Sequence, residues 1–93
     1  MIKTFADKRT AALFAGRFVK GVPITVAERA KRKLSLIDAA GTLAFLRVPP
    51  GNQLEALQKD RAGQHSIRVN DQWRICFRWR DGDAYEVEFC DYH

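Results

Sequence analysis

Long apolar runs are missing from this 93-residue chain, which excludes a helix that crosses a bilayer, since one needs roughly 18 apolar residues in succession. The opening Met1-Ile2-Lys3-Thr4-Phe5-Ala6-Asp7-Lys8-Arg9 is charged where a secretory signal would be continuously apolar. A cytoplasmic protein is expected. Cysteine is scarce as well: Cys76 and Cys90 are the only two, without the close spacing or the His and Cys partners that zinc requires. Reduced structural thiols are expected, and no metal site. Acidic residues run short, with 11 Asp and Glu against 16 Lys and Arg and a net charge of +5. That balance favours a polyanionic partner without establishing one. A chain this short forms one domain, 1–93, with a modest core and no large cofactor cleft. No cofactor is therefore expected, and function must sit on a surface or in a shallow groove. Hydrophobic residues at 46% and charged residues at 29% are ordinary globular values and argue against disorder.

What the chain does contain is a change of period. Ile2 to Phe5 is β-prone; Asp7 is placed to cap a short helix through Ala11, Ala12, Leu13 and Phe14, and Gly16 to end it. Thr25 and Glu28 fit an S/T-x-x-E capping box. Ala27, Ala30, Leu34 and Ile37 then recur at spacings of three and four, on one face of a second helix that Gly41 would terminate. Arg29, Lys31, Arg32 and Lys33 crowd the rest of its circumference, either as a solvated face or as a basic ridge turned to a partner. After Leu43 to Val48, the cluster Pro49-Pro50-Gly51-Asn52 forces a turn, and beyond it apolar residues alternate. Leu54 to Leu57 begin a strand and Gln58 to Gly63 form a charged loop. Three half-buried strands follow, Gln64 to Asn70, Trp73 to Arg80, and the segment in which Tyr85, Val87 and Phe89 alternate with Glu86, Glu88 and Cys90. The pattern predicts an α+β fold, two amino-terminal helices packed on one side of a small antiparallel β-sheet.

Register follows from parity, because a slip of one residue would turn an apolar set out of the core. Counted from the turns Asn70-Asp71-Gln72 and Asp81-Gly82-Asp83, even index sums place Arg68 opposite Arg74 and Arg78 opposite Glu86, on the face away from the helices. Facing arginines repel. The pair is therefore either splayed into solvent or disposed to hold an anion, on a face that also gathers Ser66 and Arg80. His65 shares the parity of Ile67 and Val69 and belongs to the core or its edge.

Asn52-Gln53-Leu54-Glu55, the run Asp60-Arg61-Ala62-Gly63-Gln64-His65-Ser66-Ile67-Arg68-Val69-Asn70-Asp71-Gln72-Trp73-Arg74-Ile75-Cys76-Phe77, and the ending Asp91-Tyr92-His93 closely resemble the HigB toxins. These toxins, also called proteic killer proteins, belong to the RelE/ParE superfamily. The resemblance runs from the Met-Ile-Lys-x-Phe opening to the last residue. It implies a RelE-like fold, a toxin–antitoxin pairing with a HigA-like helix-turn-helix antitoxin, and metal-independent cleavage of mRNA on the ribosome. The family's functional positions fall on Asp91, Tyr92, His93 and Arg74. Two positions depart from better-studied members: Glu55 stands where they have a His, and Leu57-Gln58-Lys59-Asp60 replaces L-K-G-D, which puts Lys59 one residue along. A subgroup with P-P-G-N-x-L-E carries the same Glu. The alternative is a non-nuclease toxin on the same fold, a ParE-like inhibitor of DNA gyrase or one that disturbs ribosome assembly or chaperones, because fold does not settle function.

RNA is cut without a metal when its own 2′-OH attacks the adjacent phosphate. That step needs a proton removed, charge on the phosphate stabilised, and the leaving 5′-oxygen protonated. His93 suits acid or base work near neutral pH. Arg74 can grip two phosphoryl oxygens, or else pair with an acidic neighbour. Tyr92 can stack on a base or close the end of the sheet; Asp91 can orient His93 or act as base; Glu55 is a candidate general base or an arginine-paired structural residue. Lys59, Arg61, Arg68 and Arg78 are expected to contact RNA or the ribosome. Strict alternation puts Asp91 and His93 on one side of the last strand and Tyr92 on the other, so all three meet one substrate only if the chain leaves the strand there.

Overall fold

The computed structural model describes residues 1–91. Helices α1 (Lys8–Phe14) and α2 (Ile24–Ala39) come first, then 3-10 turns at Leu43–Arg47 and Pro50–Asn52. Strands β1 (Glu55–Ala56), β2 (His65–Arg68), β3 (Trp73–Arg80) and β4 (Asp83–Asp91) follow, with a 3-10 turn at Lys59–Arg61 inside the expected charged loop. All strand pairs are antiparallel, in the order β1-β2-β3-β4. Leu13, Ala30, Leu34 and Ile37 of the helices are buried with Ile67, Ile75, Phe77, Val87 and Phe89 of the sheet, so both helices lie on one face. The α+β layering is the one expected. Each of those larger side chains contributes roughly 1.5–3 kcal/mol by leaving water. Among the described residues, no helix is long and apolar enough to cross a membrane.

Helix α1 begins and ends as its sequence requires. The Asp7 carboxylate accepts from the Thr10 backbone N–H at 2.7 Å and from its hydroxyl at 2.6 Å. Gly16, at φ 77°, closes the helix in the left-handed region: its N–H donates to Leu13 and that of Arg17 to Ala12. Buried Thr10 then accepts from the Phe89 N–H at 2.9 Å, which ties the cap to β4. Helix α2 departs from the capping box. Pro23 is its N-cap, extended at ψ 147°, and no side chain caps it. Proline presets the entry and lacks the N–H that would need a partner, so Thr25 sits inside the first turn and Glu28 stays exposed. Ala30, Leu34 and Ile37 are buried and Ala27 is half-buried, whereas Ala40, extended, ends the helix one residue before Gly41.

The β2–β3 register is the expected one, with Arg68 opposite Arg74 and Ile67 opposite Ile75. Between β3 and β4 parity fails midway. Ile75 faces Phe89 and Cys76 faces Glu88, but Arg78 faces Tyr85 rather than Glu86. One extra residue in β4 makes a bulge, with Glu86 in the left-handed region at φ 52°. The amino terminus runs parallel to β4 beside the bulge, through bridges at Ile2–Ala84 and Phe5–Val87. Thr4 receives the Glu86 N–H on its hydroxyl at 2.8 Å and the Val87 N–H on its carbonyl at 3.1 Å.

Candidate functional site

The sheet face turned away from the helices carries the site. Cross-strand pairing sets Glu55, Ser66, Cys76 and Glu88 in one row and Arg68, Arg74 and Cys90 in the next. Arg74 occupies the centre and its side chain is only 8% exposed. Its Nε donates to the Ser66 hydroxyl at 2.8 Å, and Nη2 donates to the Gln53 carbonyl at 2.7 Å and the Ser66 carbonyl at 3.3 Å. Nη2 also lies 3.4 Å from the Glu55 carboxylate, which is 49% exposed. A planar fork satisfied on several sides is rigid, so Glu55 is held beside a fixed positive charge at the solvent edge. Arg68 and Arg74 are not splayed together into solvent: Arg68 turns to an ion pair with exposed Asp71, whereas Arg74 turns inward and is buried.

The Pro50–Asn52 turn builds the wall behind Arg74. Asn52 is fully buried, donates to the Leu46 carbonyl at 3.1 Å and accepts from Lys33 Nζ at 2.5 Å. Gln53 follows in the left-handed region at φ 44°, and this aims its carbonyl at Arg74. A non-glycine residue there costs about 1–2 kcal/mol, an amount that a charge-assisted hydrogen bond can offset. Lys33 is thereby drawn off the α2 ridge, while Arg29, Lys31 and Arg32 remain exposed. Burial, then Arg29, Arg68 and Arg32, hold its amine below the usual lysine range.

The other expected arginines carry acidic partners as well. Arg61 Nη1 donates to Glu88 at 3.0 Å and to Gln64 at 3.0 Å. Arg78 Nε lies 2.8 Å from Glu86, so their ion pair forms across the bulge although the two are not opposite. Lys59 is exposed at φ 55° in its turn. Asp91 is still in strand, opposite Trp73, where alternation gives it the Trp73 and Phe89 side rather than the Arg74 side; Gln72 Nε2 donates to it at 3.2 Å. Tyr92 and His93 lie outside the described residues.

Sequence reasoning left three residues of this region unassigned. Gln53 and Asn52 lie inside the quoted motif, yet a motif does not reveal that one aims a carbonyl and the other anchors it. Arg9 of α1 gave no signal: it donates to the Phe89 carbonyl at 2.7 Å and lies over the Trp73 and Phe89 rings at 5.5 and 5.3 Å. His65 is at the core edge as expected, stacked on Phe77 with its Nδ1 buried and unpartnered. Among the described residues, no three His, Cys, Asp or Glu side chains converge as a metal ion requires.

The layering, the sheet order and the arginine-rich outer face define a RelE-like toxin fold. The YoeB–YefM complex from Staphylococcus aureus contains a chain of the same fold, with a TM-score of 0.63 at 17% identity over 100% of this chain and 98% of that one. Residues 3–93 match the family described as the RelE-like toxin of type II toxin–antitoxin system HigB, and the chain belongs to that family. It is 38% identical over 93 residues to Endoribonuclease HigB of Proteus vulgaris, covering all of both chains. It is 44% identical over 63 residues to Toxin HigB-1 of Vibrio cholerae serotype O1, which is 68% of this chain and 66% of that protein.

Proposed function

We propose that this toxin of a type II toxin–antitoxin system stops translation as a ribosome-dependent, metal-independent mRNA endonuclease. The observation that carries the reading is the half-exposed Glu55 carboxylate 3.4 Å from a buried, four-ways anchored Arg74. End-to-end similarity to a protein named as an endoribonuclease supports it. Glu55 takes the proton of the 2′-OH, whose oxygen attacks the adjacent phosphorus. Arg74 orients Glu55 and opposes the negative charge that grows on the phosphoryl oxygens. The bond to the 5′-oxygen breaks, leaving a 2′,3′-cyclic phosphate, and the 5′-oxygen takes a proton, for which His93 is the candidate donor. Lys59, Arg61, Arg68 and Arg78 track the RNA or ribosomal backbone. Exposed ion pairs such as Arg68–Asp71 contribute only about 0–1 kcal/mol, so phosphate can displace the carboxylate at small cost. The ribosome places the site of action in the cytoplasm, and a HigA-like antitoxin holds the toxin in check until then.

The test is to incubate the purified protein with free mRNA and with programmed ribosomes, and to map the ends produced. Cleavage only on programmed ribosomes, persisting in EDTA with ribosome integrity controlled for, is expected. Intact mRNA under conditions where Endoribonuclease HigB cuts would reject the nuclease reading and direct attention to gyrase supercoiling.

A further inference from the structure

Beneath the Arg74 site the outer face holds a second chemical feature, the two cysteines. They are diagonal neighbours, since Cys76 of β3 faces Glu88 while Arg74 faces Cys90 of β4. Their sulfurs are 2.7 Å apart, well inside the roughly 3.5–4.0 Å at which unbonded heavy atoms rest. Both are unbridged thiols, enclosed with Leu57 in a small cluster separate from the main core. Cys76 is fully buried, whereas Cys90 is 6% exposed and adjoins exposed Asp91.

We propose that Cys76 and Cys90 form a redox-active dithiol, a covalent modification site that closes to an intramolecular disulfide with a hydroperoxide as oxidant and reopens with a thiol reductant. The juxtaposed sulfurs carry this, and the chemistry does not depend on RNA cleavage. The surroundings favour a shared proton: one hydrogen bond joins the two sulfurs and either can donate it, with the arginines Arg61 and Arg74 nearby. With one proton between them, the pair passes it to Cys76, and the Cys90 sulfur attacks one oxygen of the peroxide. The O–O bond breaks, water leaves after protonation by solvent, and Cys90 becomes a sulfenic acid. Cys76 then attacks the Cys90 sulfur, the S–O bond breaks, and the hydroxyl departs as water with the Cys76 proton. Two thiols lose two electrons and two protons, and the peroxide is reduced to two waters. The new bond ties β3 to β4 one residue before Asp91.

Purified, reduced full-length protein is treated with hydrogen peroxide, unfolded in iodoacetamide, and weighed intact. A monomeric product lighter by two hydrogens and without alkyl groups is expected, with a peptide of β3 joined to one of β4, and dithiothreitol should restore two alkylatable thiols. In Cys76→Ala the resolving thiol is gone, so Cys90 should instead trap dimedone as its sulfenic acid. Two alkylated cysteines in the oxidised wild type, or bridges only between chains, would overturn the proposal, and this wild-type measurement stands whether or not the variant folds.

Discussion

Replacing Glu55 with Gln removes one charge while keeping shape and an oxygen acceptor for Arg74. The carboxylate is 49% exposed, Gln keeps an oxygen for Arg74, and Arg74, 8% exposed, is also held by Ser66 and Gln53, so the loss of the charge costs about 1 kcal/mol. A domain of this length holds roughly 5–14 kcal/mol of stability, and a change of that size lowers its melting temperature by at most about 4–8 °C. A positioned general base supplies about a hundred- to ten-thousandfold in rate, which is roughly 3–5 kcal/mol of barrier. The two magnitudes are far enough apart to separate by single-turnover cleavage on programmed ribosomes beside a thermal melt. A folded Glu55→Gln protein with its rate down by a hundredfold or more is expected. A rate within about threefold of wild type would remove Glu55 from proton transfer. If instead the rate falls only in proportion to the unfolded fraction, Glu55 merely holds Arg74 in place.

Arg74→Lys keeps the charge but loses the fork that reaches Ser66 and Gln53 together, so single-turnover cleavage should slow by roughly a hundredfold with ribosome affinity nearly unchanged; equal losses of both would make Arg74 an ordinary phosphate contact. Arg68→Ala should leave the melt within about 0.5 kcal/mol, weaken ribosome binding, and reduce the slope of log affinity against log salt by about one; an unchanged slope would take Arg68 off the interface. His93→Gln should abolish cleavage with the melting temperature unchanged, and a retained rate would remove His93 from the site. Burial, and then Arg47, hold the His65 imidazole below its ordinary value. The unfolded chain therefore takes up the proton first, and stability, full above about pH 6.5, should decline as pH falls toward the folded value. Urea midpoints from pH 7.5 to 5 for wild type and His65→Phe check this, since an equal decline in both would clear His65.

Much of the fold was legible because its determinants are local. Asp7 and Gly16 act on α1 through bonds that span a few residues, and the β2–β3 register follows from alternation around one short turn. The failures are long-range. Parity counting assumes an uninterrupted ladder, and β4 is interrupted beside Thr4, 82 residues from the Glu86 amide that it binds. The capping box failed for a different reason: the helix already starts at Pro23, whose carbonyl accepts from the Ala27 N–H, so Thr25 lies inside the first turn and not at the cap. In the site, residue types and faces were readable, Asp91 on the Phe89 side by alternation included, but not the left-handed Gln53 carbonyl that fixes Arg74.

One property of the outer face belongs to neither the motif nor the net charge. Arg61, Arg68, Arg74 and Arg78 each stand within ion-pair distance of a carboxylate: Glu88, Asp71, Glu55 and Glu86. The face is thus much less positive than its arginine content suggests, while Arg29, Lys31 and Arg32 of α2 remain exposed. On the proposed function, backbone recognition at the site works by exchange, with phosphate taking the place of an acid. Exposure then orders the exchange. Arg78 and Arg68 have side chains 43% and 28% exposed, with partners 59% and 101% exposed, and release them most cheaply. Arg74, at 8%, is bound to Ser66 and Gln53 as well and keeps its partner until substrate arrives. A carboxylate retained in that way stays beside the incoming 2′-OH, where proton transfer requires it.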